Sequence, residues 1–172
     1  MNKILVAYAS KTGSTIQVAE TIQNAIKRAD IVVDLMPVDE VTDISPYSAA
    51  VIGSAIRMGQ WLPNATAFVK NSELELRKIP VAYFVVCLRL QENTPETRQK
   101  AAAYLHPLYK SAPLVKPVSV GLFAGAMDYG KLPFWPRMLI RMSGLGAGDY
   151  RDWQAIRAWC NKIRPLLIKK EK

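Results

Sequence analysis

Apolar residues fall in two rhythms along this chain. Residues 3–8, 31–35, 49–53, 81–87 and 118–123 form short, nearly continuous apolar runs rich in Val, Ile and aromatic residues. Runs of that length and composition predict strands buried on both faces. Between the first two, Ile16, Val18, Ala19, Ile22 and Ile26 recur at helical spacing. Further helices are expected over 64–76, after Thr94, and over 152–163. Thr94-Pro95-Glu96 is a start signal, with a hydroxyl cap, proline in the first turn and an acid behind it. Pro37 is expected to stop the second strand. The run 81–87 is the most apolar and is expected at the centre of the sheet. Apolar strands alternating with helices require a parallel sheet covered on both faces. No repeat or low-complexity stretch interrupts the alternation, so one α/β domain over 1–172 is expected.

The segment between the first strand and the first helix carries the clearest chemistry. Ser10, Lys11, Thr12, Gly13, Ser14 and Thr15 form a hydroxyl-rich loop around one glycine. The first amides of the following helix have no internal partner, and the helix dipole adds partial positive charge. With four hydroxyl donors nearby, the expected guest is an anion, best a terminal phosphate. The loop lacks the Gly-Lys-Ser/Thr of a nucleoside-triphosphate loop and has one glycine where a dinucleotide fingerprint has three. It also lacks a cysteine nucleophile. A monophosphate that stays bound fits best, although a capped helix after a tight turn is the plainer alternative. The segment Ser10-Lys-Thr-Gly-Ser-Thr15 resembles the FMN phosphate loop of the flavodoxin superfamily. That resemblance implies a flavodoxin-like three-layer fold with strand order 2-1-3-4-5 and FMN as cofactor.

Composition narrows the picture further. Half of the 172 residues are hydrophobic, no apolar run reaches the length of a bilayer span, and no leader peptide is expected. Cys87 and Cys160 make no metal or redox spacing, and His106, expected at a helix end, is the single histidine. A cytoplasmic protein with reduced thiols and no metal is expected. The net charge of +9 is uneven: 9 Lys/Arg face 10 Asp/Glu through Glu96, and 14 face 4 from Thr97 onward. The basic half invites an anionic partner such as a membrane surface, an acidic protein or a carboxylated substrate. No nucleic-acid partner is expected.

Ligands of doubly wound sheets sit outside the carboxyl ends of the strands, a rule for which flavodoxin itself is a standard illustration. Three more loops then become site candidates. After strand three come Ser54, Ala55, Ile56, Arg57, Met58, Gly59 and Trp61; after strand four, Cys87, Leu88 and Arg89; after strand five, Gly125, Met127 and Asp128. In the superfamily the first two flank the flavin ring. Met58 and Trp61 are candidates to cover it, with a core position the equal alternative for Trp61. Arg57 and Arg89 near the ring would favour the anionic reduced flavin and suit an oxidase or dehydrogenase better than a low-potential shuttle.

The stretch 124–150 is too long for an ordinary connection in this fold. Within it, 129–142 interleaves Lys131, Arg137 and Arg141 with Leu132, Phe134, Trp135, Met138, Leu139 and Ile140. Such a segment suits an anionic membrane surface, a lid over an apolar substrate, or packing beneath a loop. Ser54-Ala-Ile-Arg-Met-Gly, Phe123-Ala-Gly-Ala-Met-Asp-Tyr129 and Asp149-Tyr-Arg-Asp-Trp153, around this insert, are similar to the menaquinone-dependent protoporphyrinogen oxidase family. The resemblance implies an FMN-dependent oxidoreductase acting on protoporphyrinogen IX, an amphipathic anionic molecule, with a quinone as acceptor. It leaves the protein peripheral on the inner face of the membrane. A flavodoxin-like electron-transfer protein is the alternative, and a flavin-free basic binding module a weaker one.

Overall fold

The structure is a computed structural model and describes residues 2–127, 138, 142 and 148–168. Five parallel strands carry the fold: β1 (Asn2–Ala9), β2 (Ile31–Pro37), β3 (Ala49–Arg57), β5 (Val81–Cys87) and β6 (Ser119–Ala124). They lie in the order β2-β1-β3-β5-β6. This is the expected 2-1-3-4-5, because β4 (Gln60–Trp61) only pairs antiparallel with the end of β3. The centre belongs to β3, not to the more apolar run 81–87, which is interior but one place removed. The second strand ends at Pro37 as expected, with Pro37 as its last residue facing Tyr8 in register. β2 lies at the sheet edge, where a residue without an N–H costs little.

Side-chain alternation splits the core in two. Leu5, Ala7, Ile52, Tyr83 and Val85 face one side, under α2 (Pro63–Asn71), α3 (Glu73–Leu76), α4 (Pro95–Ala103) and α5 (His106–Ser111). Ile4, Val6, Val51, Phe84 and Val86 face the other, under α1 (Ser14–Ile26) and α6 (Trp153–Leu167). Every side chain of β5 is buried, as a strand covered on both faces requires. The helix expected over 64–76 is broken at Ser72 into α2 and α3. His106 opens α5 and does not end a helix.

Two helix starts carry side-chain caps, the first where the sequence signals it. Thr94 accepts from the Thr97 amide while Thr97 Oγ1 accepts from the Thr94 amide, a reciprocal box closed by threonine and not by the acid at 96. Asp152 caps α6 by accepting from the Ala155 amide at 2.9 Å. Both cysteines are free and buried; burial raises the Cys87 thiol and pushes Cys160 up to about 12.

The sheet depends on one close approach. Gly53 on β3 faces Phe84 on β5, and a Cβ at Gly53 would lie 2.2 Å from the Phe84 ring. Gly53→Ala is therefore expected to destabilise the protein by about 1–3 kcal/mol through overpacking, read as a lowered denaturation midpoint. The double change Gly53→Ala with Phe84→Leu should recover part of that loss, because the obstructing ring is gone.

Candidate functional site

The loop from Ser10 to Thr15 leaves β1 at its carboxyl end, where the strand order reverses between β1 and β3. Its turn is locked by the Gly13 amide donating to Ser10 Oγ at 3.1 Å. Gly13 sits in the left-handed region, φ 88°, with open space where a side chain would stand. A residue with a Cβ would be strained there. Helix α1 then begins with no side-chain cap at all, although hydroxyls surround it.

Thr15 is the one fully buried residue of the loop. Its side chain is fully buried, and its hydroxyl has no hydrogen-bond partner among the described residues. An orphaned buried hydroxyl costs about 1–3 kcal/mol unless something fills the vacancy. The first turn of α1 carries no acid. Lys11 and Thr12 are exposed, and Ser10 and Ser14 half-buried, so polar groups from both sides of Gly13 remain accessible. These donors fit a terminal phosphate.

The segment after strand three differs from the loop expected. β3 runs on through Arg57 and returns as β4, with Ile56 opposite Trp61 and Arg57 opposite Gln60. The two-residue connection is Met58-Gly59, with φ 51° and 76°. Positive φ at both central residues is the type I′ geometry that matches strand twist. Ser54 is buried and fastens this hairpin: its hydroxyl donates to the Ala55 carbonyl and accepts from the Leu62 amide. Trp61 takes the core position, the equal alternative for it: it is buried and packs edge-on to Tyr83 at 5.3 Å. Ala55 and Ile56 are half-buried and Arg57 exposed, while Met58 stands at the tip, 92% exposed.

The loops after β5 and β6 join the hairpin at the same edge. Cys87 is buried, Leu88 half-buried and Arg89 exposed, with Arg89 Nε donating to the Tyr104 hydroxyl at 2.7 Å. The Tyr104 ring in turn lies 3.6 Å from where a Cβ would stand on Gly59. Exposure screens both Arg57 and Arg89, so their pull on a bound ring is weaker than their sequence positions suggest. Gly125 is buried, and its amide donates to the Cys87 carbonyl at 3.2 Å. β7 (Ala126–Met127) pairs antiparallel with β8 (Gly148–Asp149). Asp128 and the cations Lys131, Arg137 and Arg141 lie outside the described residues; Met138 and Met142 within that segment are exposed. Among the described residues no helix is long and apolar enough to cross a membrane, and no group could hold a metal ion.

Residues 5–153 match the flavodoxin-domain family. The chain belongs to that family. Among curated proteins, it is 26% identical over 182 residues to the protoporphyrinogen IX dehydrogenase [quinone] of Escherichia coli strain K12, covering 97% of each chain. The protein of the same name from Leishmania major is 28% identical over 181 residues, covering 95% of this chain and 75% of that one. A solved flavodoxin from Fusobacterium nucleatum, bound to flavin mononucleotide, superposes with a TM-score of 0.52 at 15% identity. The match covers 98% of this chain and all of that one.

Two residues of this flavodoxin-domain site were not singled out from the sequence. Tyr104 holds Arg89 and borders the hairpin tip. Arg151 reaches the first turn of α1, where it donates to the Ser14 carbonyl and the Gln17 side chain. Nothing in the order of residues signals either contact, because each spans a fold-dependent distance.

Met58 offers a test of strain. A bulky residue at positive φ costs of order 1 kcal/mol and is typical of functional sites. Met58→Asn creates Asn-Gly, the pair a type I′ turn prefers, and is expected to stabilise the ligand-free protein by about 0.5–1 kcal/mol. Thermal melts check this, and a loss of flavin affinity in the same variant would mark Met58 as a ring contact.

Proposed function

We propose that this protein binds FMN at the carboxyl edge of the sheet and acts as an FMN-dependent oxidoreductase. Its substrate is protoporphyrinogen IX and its acceptor a quinone. The observation that carries the reading is the start of α1: an uncapped helix end, a left-handed glycine and a buried, partnerless Thr15 hydroxyl. The end-to-end likeness to two proteins named protoporphyrinogen IX dehydrogenase [quinone], and the FMN of the Fusobacterium flavodoxin, support the same assignment.

FMN, when bound, supplies the two-electron redox chemistry. The chain's own residues have other tasks. Ser10, Thr12, Ser14 and Thr15, with the first amides of α1, hold the phosphate. Ala55 to Gly59 and Cys87 to Arg89, with Gly125 to Asp128, border the ring end, and Met58 can cover a face. Each electron pair leaving the substrate departs with its protons and reduces one quinone to its quinol. Substrate carboxylates suit the exposed Arg57 and Arg89, and the basic segment 129–142 suits an anionic membrane in which a quinone is dissolved.

Thr12→Ala combined with Thr15→Ala removes two hydroxyl donors to a charged group, each worth about 1.5–3 kcal/mol. Titration of the ligand-free protein should show FMN affinity lowered at least about tenfold, with the melting temperature of that form not reduced, since Thr15 is unsatisfied in it. Unchanged affinity would put the phosphate elsewhere.

Purified FMN-loaded protein is expected to convert protoporphyrinogen IX to the porphyrin without oxygen only when a quinone is supplied. Changing Lys131, Arg137 and Arg141 together to Gln should lower turnover in anionic vesicles in a salt-sensitive way, leaving the visible flavin spectrum intact. An FMN-loaded protein inert towards porphyrinogen, yet able to reduce a protein redox partner, would support the electron-transfer alternative.

A further inference from the structure

Arg151 is held from several sides. Its guanidinium clamps Asp149 with both ends of its fork, Nε to Oδ1 at 2.7 Å and Nη2 to Oδ2 at 2.5 Å. The third nitrogen, Nη1, donates to the Gln17 side chain and to the Ser14 carbonyl, the latter at 3.4 Å. One face lies 4.5 Å from the centre of the Trp153 ring. The side chain is only 9% exposed. The guanidinium holds the Asp149 carboxyl below the usual range, consistent with a pair that stays ionised.

Its charge is therefore already matched by Asp149, and what it adds to the phosphate end is geometry. Ser14 and Gln17 belong to the first turn of α1, the turn whose free amides face the phosphate. A continuous set of contacts leads away from that turn. Asp149 is paired with Ala126 on β7, the Tyr150 amide donates to the Gly125 carbonyl, and the Gly125 amide donates to the Cys87 carbonyl. Arg151 thus joins the phosphate end of the site to the β7–β8 stem and to the loop after β5.

We propose that Arg151 is a positioning residue: it fixes the first turn of α1 against the β7–β8 stem, so that phosphate binding and ordering of the stem are one linked equilibrium. By reciprocity, whatever tightens the turn on phosphate must tighten the stem by the same factor. Lysine cannot substitute, because an ammonium lacks the fork that holds Asp149 while still reaching α1.

The inference rests on the FMN assignment, and riboflavin, which lacks the phosphate, separates the two. Flavin-fluorescence titrations of the full chain compare wild type, Arg151→Gln, Arg151→Lys and Gln17→Leu. Losing charge-assisted bonds that hold the turn should weaken FMN at least about tenfold in Arg151→Gln and leave riboflavin within about twofold. Arg151→Lys should fail to restore FMN binding. Gln17→Leu, which leaves the Asp149 pair and the fold untouched, should weaken FMN alone, by a smaller factor. Hydrogen exchange should show FMN slowing the amides of 125–127 and 148–150 in wild type but not in Arg151→Gln. FMN binding at wild-type strength in Arg151→Lys would reduce the role to charge and overturn the proposal. Equal losses for FMN and riboflavin, or an unaltered Gln17→Leu, would overturn it as well. A wild-type protein that binds neither flavin would overturn the cofactor assignment and this inference together.

Discussion

A helix that begins without a cap leaves several backbone donors to be satisfied from outside, and most of what is distinctive here follows from that constraint at Ser14. The chain can cap helices, as Thr94 and Asp152 demonstrate at α4 and α6. At α1, with four hydroxyls in reach, it does not. Ser10 is spent on the Gly13 amide, Thr15 is buried with its hydroxyl open, and the nearest guanidinium grips carbonyl and amide oxygens of the first turn. Each choice keeps the amides aimed outward. The left-handed turn at Gly13 is one that glycine adopts without strain, and the buried Thr15 hydroxyl is a cost of about 1–3 kcal/mol.

The sheet delivers that helix end to a place where chemistry is possible. Because β1 and β3 are neighbours and their helices lie on opposite faces, their outgoing loops part, leaving a crevice at the sheet's carboxyl edge. The β3–β4 hairpin, the turn after β5 and the β7–β8 stem close round the same edge. They are tied by backbone bonds from Gly125 to Cys87 and from Tyr150 to Gly125. Exposed arginines at the rim are screened by solvent, so they suit recognition of carboxylates better than tuning of a potential.

Trp61 and Ser54 follow a strand end in the sequence, yet β3 continues four residues past Gly53 before turning. The hairpin carries Trp61 back into the core against Tyr83 and turns Ser54 into its fastener. Local sequence cannot tell a loop from a strand extended by a two-residue turn when the turn is Met-Gly and not Asn-Gly.

Local sequence determined the alternation of buried strands and amphipathic helices, the cap at Thr94, and the hydroxyl-rich turn at 10–15. Each is written in spacing, β-branching or hydroxyl placement over fewer than about 15 residues. Composition added the basic second half. Tertiary structure alone decided which strand became central, that Gly53 must admit Phe84, that Tyr104 holds Arg89, and that Arg151 reaches α1 across most of the chain's length. Those are contacts between residues far apart in sequence, set by register and by the way helices settle on a twisted sheet. No period in the chain encodes them, because their partners are chosen only when the layers close.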